Sequence, residues 1–172
     1  MRTDVLLKIE PLTRAAFAEF GDVIEAEDRE FFMINGGSTR RYHKLATTEV
    51  DEGARVIINI FEAMPLQYPL HIAMLERHPK GSQAFIPLQC NNYLVVVAPR
   101  GNPPENASIR AFYAKGTQGV NYHAGVWHHP VLALKDHDRF LVVDREGEGN
   151  NCDEHFFSAE TKVVLALDGI SM

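Results

Sequence analysis

Apolar and polar positions alternate over short stretches of this 172-residue chain, with the two-residue period of β-strands. ARVIINIF at 54–61 alternates and is rich in β-branched residues. PLHIAMLERH, QAFIPL, YLVVVA, SIRAFYA, VLALKD, RFLVVD and KVVLAL follow it. Turn clusters separate many of these runs: HPKGS, QCNN, PRGNPPEN and REGEGNN. TRAAFAEF at 13–20 has the helical period instead. Thr13 would cap that helix, Leu12, Ala16, Phe17 and Phe20 would form its apolar face, and Gly21 would end it. INGGSTRRYH at 34–43 reads as a polar loop. Strands do not alternate with helices, so the pattern predicts a mainly β fold, an antiparallel barrel or sandwich with a short N-terminal helix. No repeat or linker interrupts it, and residues 1–172 are expected to form one domain.

Composition narrows the partners. Lys and Arg total 17 against 23 Asp and Glu, a net charge of −6, and no basic run stands out, which argues against nucleic acid. The longest clean apolar run is LVVVA at 94–98, too short to span a membrane. MRTDVLLKIEPL is too charged for a signal peptide, so a cytoplasmic protein is expected and the NAS sequon at 106–108 has no consequence. Cys90 and Cys152 form no CxxC unit, which excludes a cysteine-based structural zinc site. GEGNNC at 147–152 lacks the third glycine and the following helix of a dinucleotide fingerprint. The remaining class of partner is a small molecule.

Two stretches carry the chemistry: LERHPKGSQAFIPL at 75–88 and GVNYHAGVWHHPVLAL at 119–134. Glu76 and His78 are two apart on a strand and share a face, and Gln83 resumes on the next strand. Carboxylate, imidazole and amide oxygen suit either a mixed metal shell or an acid–base set. The second stretch offers His123, His128 and His129; adjacent histidines point to opposite faces, so one of the pair His128–His129 enters a cavity. His43 is a weaker candidate, and His71, His137 and His155 have no clustered partners. A substrate acid would need an arginine; among the arginines, Arg41 lies in a glycine-containing loop and Arg145 follows a strand. Tyr42, Tyr122 and Trp127 could wall the pocket.

FGDVIE at 20–25, FFMINGGSTRRYH at 31–43, LERHPKGSQAFIP at 75–87, GVNYHAGVWHHP at 119–130 and DREGEGNNCDE at 144–154 resemble the corresponding blocks of the bacterial ureidoglycolate lyase family. The resemblance covers essentially the whole chain. It implies a cupin-like β-barrel (a double-stranded β-helix), a homodimer, and cleavage of (S)-ureidoglycolate to glyoxylate and urea in the allantoin branch of purine catabolism. Laid on the cupin pattern, Glu76 and His78 take the paired-histidine positions, Gln83 the glutamate position, and Gly125 and His128 match the second motif.

The resemblance thus implies Glu76, His78 and His128 as the catalytic set. Gln83, His123 and Trp127 would line the substrate site, and Arg41 or Arg145 would anchor the substrate carboxylate. The same Glu76, His78 and His128 could hold a divalent metal such as nickel or zinc. With a neutral Gln83 in place of a carboxylate, the expectation is a weakly bound ion or none. Two other readings share these residues: a metal-dependent cupin enzyme acting on another small acid, and a module that binds a glyoxylate-type acid without turnover.

Overall fold

The computed structural model describes residues 4–170. Among these residues the strands form a seven-stranded, a five-stranded, a three-stranded and a two-stranded sheet. The fold is mainly β with a short N-terminal helix. The seven-stranded sheet runs Asp153–Phe156, Met74–Arg77, Trp127–His128, Tyr93–Ala98, Arg110–Ala114, Ile9–Pro11, with Leu132–Ala133 also paired to Tyr93–Ala98. The five-stranded sheet runs Gly21–Ile24, Gly119–Tyr122, Gln83–Pro87, Asp138–Glu146, Arg55–Ala63. These are separate sheets rather than one closed ring of hydrogen bonds. Two pairings are parallel: Val5–Leu6 with Val163–Leu165, and Ile9–Pro11 with Arg110–Ala114.

The run YLVVVA explains how the layers stack. Tyr93, Val95 and Val97 pack with Phe85, Val120, Tyr122, Phe140 and Val142 of the five-stranded sheet. Leu94, Val96 and Ala98 face the other way, toward Ile72, Val163 and Leu165 around the three-stranded sheet. Both faces of this strand are buried, so it reads as continuously apolar rather than alternating. Each buried valine contributes on the order of 1.5–3 kcal/mol relative to exposure.

Local departures from the expected pattern have physical causes. PLHIAMLERH is not one strand: Leu70–His71 and Met74–Arg77 belong to different sheets. The helix is a single turn, Arg14–Phe17, capped by Thr13, whose hydroxyl accepts from the Ala16 N–H at 3.2 Å. Phe17, Phe20 and Leu12 bury as expected. Gly21 does not end the helix but opens a strand, where a Cβ would lie 1.9 Å from the Asn121 carbonyl oxygen; only glycine permits that approach. Part of the expected loop at 34–43 is ordered as a hairpin of Phe32–Ile34 against Thr39–Arg41. No helix among the described residues is long and apolar enough to cross a membrane.

Candidate active site

The candidate site forms where the seven- and five-stranded sheets meet, with Tyr122 of one stacked on His128 of the other. Glu76 and His128 are direct cross-strand partners. Because side chains alternate, Leu75 falls in the core toward the three-stranded sheet, while Glu76 and then His78 turn to the interior. The turn after Gly119–Tyr122 fastens His78 from behind: the Gly125 N–H donates to the His78 carbonyl at 2.9 Å. Gly125 has φ +82°, a left-handed conformation that favours glycine.

Three potential ligand atoms of Glu76, His78 and His128 lie within 4.8 Å of one another. Glu76 Oε1 is 3.6 Å from His128 Nε2 and 4.0 Å from His78 Nε2. The two imidazole rings are 5.0 Å apart between centres. Each histidine is oriented through its other nitrogen. His78 Nδ1 is 2.7 Å from the Asn151 carbonyl oxygen, and His128 Nδ1 is 3.2 Å from that of Val126. A carbonyl oxygen only accepts, so Nδ1 carries a proton in both rings, and in its neutral form each ring leaves a bare Nε2 lone pair. Both Nε2 atoms are buried without a partner. Two imidazole nitrogens and one carboxylate at this spacing could hold a divalent metal.

Electrostatics divides the roles. Burial pushes the Glu76 carboxyl above its usual value, Glu154 adds to this, and His78 and the Cys152 thiol work against it. Cys152 Sγ lies 3.8 Å from Glu76 Oε2. Burial, with His78 beside it, pushes His128 down to about 3, so His128 is neutral in the physiological range. His129 turns away, its Nδ1 on the Pro130 carbonyl at 2.9 Å. Only one of the adjacent pair thus joins the cluster.

The five-stranded sheet supplies the opposite wall. Tyr122 and Gln83 are cross-strand partners on its inner face. The Tyr122 ring stacks on His128 at 4.4 Å. Gln83 is 7% exposed, and its Nε2 donates to Asp144 Oδ2 at 3.1 Å. Asn59 Nδ2 donates to the other oxygen of Asp144 at 2.9 Å.

Other expected site residues lie elsewhere. Trp127 packs in the core on the opposite face from His128, under the Arg77 guanidinium at 4.5 Å, so it does not line this cavity. His123 points out of the interior into a separate cleft, 3.4 Å from Asp22 and near Lys44, Glu49 and Arg100. Arg145 is 4% exposed and committed: Nε to Asp51 at 2.5 Å and an Nη to the Glu148 carbonyl at 2.6 Å. Its hydrogen bond, with its charge, holds the Asp51 carboxyl below the usual range. Arg41 is exposed on the hairpin, 5.9 Å from the Phe32 ring centre. The sequence pattern did not single out Asp144, Asn59, Asn151 or Cys152. For Asp144 the signal was present: it continues the inward alternation of Phe140 and Val142 in RFLVVD.

Comparison with known proteins adds a family. A family model described as Ureidoglycolate lyase matches residues 4–164. The chain is 63% identical over 166 residues to a protein named ureidoglycolate lyase from Pseudomonas paraeruginosa (strain PA7), covering 96% of each. It is 61% identical over 172 residues to one of that name from Stutzerimonas stutzeri (strain A1501), covering 99% of each. Pseudomonas fluorescens (strain SBW25) has another, 59% identical over 167 residues, covering 96% of this chain and 98% of that one.

Proposed function

The chain belongs to the ureidoglycolate lyase family, and from that premise we infer that it cleaves (S)-ureidoglycolate to glyoxylate and urea in allantoin catabolism. The observation that carries the reading is the half-buried Glu76–His78–His128 cluster, on which two unpartnered Nε2 atoms and one carboxylate converge.

Ureidoglycolate bears a hydroxyl, a carboxylate and a ureido nitrogen on one carbon. Cleavage requires the hydroxyl to lose its proton and form a carbonyl. The C–N electron pair goes to nitrogen, which gains a proton. The base we assign is Glu76: burial has raised its proton affinity, the direction a working base needs. Its carboxyl can take the hydroxyl proton and return it to the departing nitrogen, so no net proton enters or leaves. His128 is too weakly basic to serve as that base; with His78 it orients the substrate hydroxyl.

His78, His128 and Glu76 would hold a divalent ion such as nickel, and the bare Nε2 atoms fit one. Such an ion supplies Lewis acidity, lowering the pKa of a hydroxyl placed against it. Gln83, across the cavity, is a substrate-binding residue. With Arg145 occupied by Asp51, the carboxylate anchor falls to Arg41.

Two wider statements belong to the same reading. The outer face of the five-stranded sheet exposes Val56, Ile58 and Ile60 on its edge strand, a surface suited to a second copy, which supports a homodimer. Cys90 and Cys152 are free, exposed thiols, which suits a reducing cytoplasm. The strand Tyr93–Ala98 is shared by both cores, in keeping with one cupin-like domain.

The test is to supply (S)-ureidoglycolate to purified protein and measure both products. Equal amounts of glyoxylate and urea are expected. Ammonia in place of urea would mean attack on the ureido carbonyl and would overturn the reading.

A further inference from the structure

We propose that Asp144 is a positioning residue: it turns the Gln83 amide so that the carbonyl oxygen, not the nitrogen, faces the cavity and accepts an N–H of the ureido group. The proposal rests on the lyase reading and deepens it.

Asp144 sits on the inner face of the five-stranded sheet between Asn59 and Gln83, and receives one amide nitrogen on each oxygen: Asn59 Nδ2 on Oδ1 at 2.9 Å and Gln83 Nε2 on Oδ2 at 3.1 Å. A carboxylate has only acceptors to offer, so both amides must present nitrogen to it. The Gln83 amide is therefore fixed in one of its two orientations. Gln83 Oε1 is then left buried and without a partner. A buried acceptor left unpaired is costly, and it is retained where a ligand completes it. Gln83 neighbours Tyr122, whose ring stacks on His128, so this acceptor belongs to the wall facing the cluster.

The chemistry of the ligand follows. An oriented carbonyl oxygen selects a donor. Ureidoglycolate has N–H donors on its ureido group, whereas glyoxylate has none. The acceptor therefore reads the half of the substrate that becomes urea. It distinguishes a ureido acid from a bare hydroxy or oxo acid that the rest of the site would also accommodate.

The experiment compares wild type with Asp144→Asn, Gln83→Met, Gln83→Ala and the double variant Asp144→Asn/Gln83→Ala. The readouts are kcat and KM for ureidoglycolate, the inhibition constant of glyoxylate, bound nickel and the thermal midpoint. The amide introduced by Asp144→Asn both donates and accepts, so it can satisfy either end of the Gln83 amide and the orientation is lost. Asp144→Asn should raise KM for ureidoglycolate about tenfold, the scale of one oriented hydrogen bond. The glyoxylate constant, kcat and nickel content should stay within about twofold. In the Gln83→Ala background the Asp144→Asn change should add nothing, because Asp144 acts through Gln83. Gln83→Met keeps the volume but removes the acceptor, and should show the same selective rise in KM even if Asp144→Asn fails to fold.

Three results would overturn the proposal. Equal weakening of glyoxylate and ureidoglycolate would mean general distortion. Additive effects in the double variant would give Asp144 another route. Loss of nickel from Gln83→Met would make Oε1 a metal ligand. Wild type that releases no urea would instead sink the underlying lyase reading, a distinct outcome.

Discussion

Tyr122 and His128 lie ring on ring, 4.4 Å between centres and 5° from parallel, although they come from two different sheets. The contact joins the two sheets at the candidate site. His128 is 1% exposed and also held through Nδ1, so its Nε2 direction is fixed from both the ring face and the ring edge.

Removing that stack should therefore cost both stability and rate. Tyr122→Ala leaves a hole in the core shared with Phe17 and Phe85 and should destabilise the protein by roughly 3 kcal/mol, read by urea denaturation. Tyr122→Phe keeps the ring and should retain stability within about 1 kcal/mol. If Tyr122→Ala unfolds no more easily than Tyr122→Phe, the ring is not a packing element.

Glu76→Gln is the sharper test of chemistry. It keeps size and most contacts but cannot take a proton, so kcat should fall by about 10²–10⁴-fold. Wild-type activity should rise with pH through an apparent pKa above 4.5, since the carboxylate is the working form and burial has raised it. The stability effect has the opposite sign. Between 4.5 and the raised value the folded state holds a proton that the unfolded state has released, so Glu76 costs stability as pH rises. Glu76→Gln should therefore be at least as stable as wild type at neutral pH. A normal rate in this variant would remove Glu76 from the chemistry.

His128 titrates the other way. Its folded value is about 3 against an ordinary 6.5, so below 6.5 the unfolded chain takes up a proton that the folded protein refuses. Stability from this group is complete above about 6.5 and is lost as pH falls toward 3. Denaturation midpoints measured between those limits should decline, and the decline should be shallower in His128→Gln. Identical slopes would show that His128 does not couple folding to pH.

Much of this was legible in the sequence because strands impose a parity. Glu76, His78 and His128 were found from a two-residue period and from motifs, and they meet. Where an expected residue lies apart from the cluster, parity is again the reason. Arg145 and Asp144 are neighbours, and so are Trp127 and His128, and His123 and Tyr122. In each pair the two side chains point to opposite faces, and the member that joins the interior is Asp144, His128 or Tyr122. His128 and Tyr122 were both read from the sequence, the first as catalytic and the second as a pocket wall, whereas the more reactive-looking Arg145 drew attention away from Asp144. Sequence could not show that Asp51 would occupy Arg145, because that ion pair closes between residues far apart in the chain. Nor could it show the two-sided burial of Tyr93–Ala98, which depends on a third layer of strands.

The outer sheet face gives a prediction about assembly. Ile58 is 71% exposed and Ile60 62% on a nine-residue edge strand, a placement that soluble monomers generally avoid. If a second copy covers it, Ile58→Lys should convert a dimer to a monomer in analytical ultracentrifugation while leaving the thermal midpoint nearly unchanged. A wild-type monomer at micromolar concentration would remove the homodimer.

Metal dependence is decided by the same lone pairs that define the site. In their neutral forms His78 and His128 both turn a bare Nε2 to the cluster, because each ring donates from Nδ1 to a backbone carbonyl. That arrangement favours a divalent ion. Against it, Glu76 is the single carboxylate in the cluster, and the fourth position holds a neutral Gln83 whose nitrogen is tied to Asp144. A site with one negative charge holds a dication loosely. The expected outcome is weak, exchangeable binding of nickel, manganese or zinc in calorimetric titration, abolished in His128→Ala and in His78→Ala. Exhaustive dialysis against a strong chelator should remove the ion and lower activity, and one added metal should restore it. Full activity after chelation would leave Glu76 acting as base without a metal. Binding that survives both histidine variants would place the ion somewhere other than this cluster.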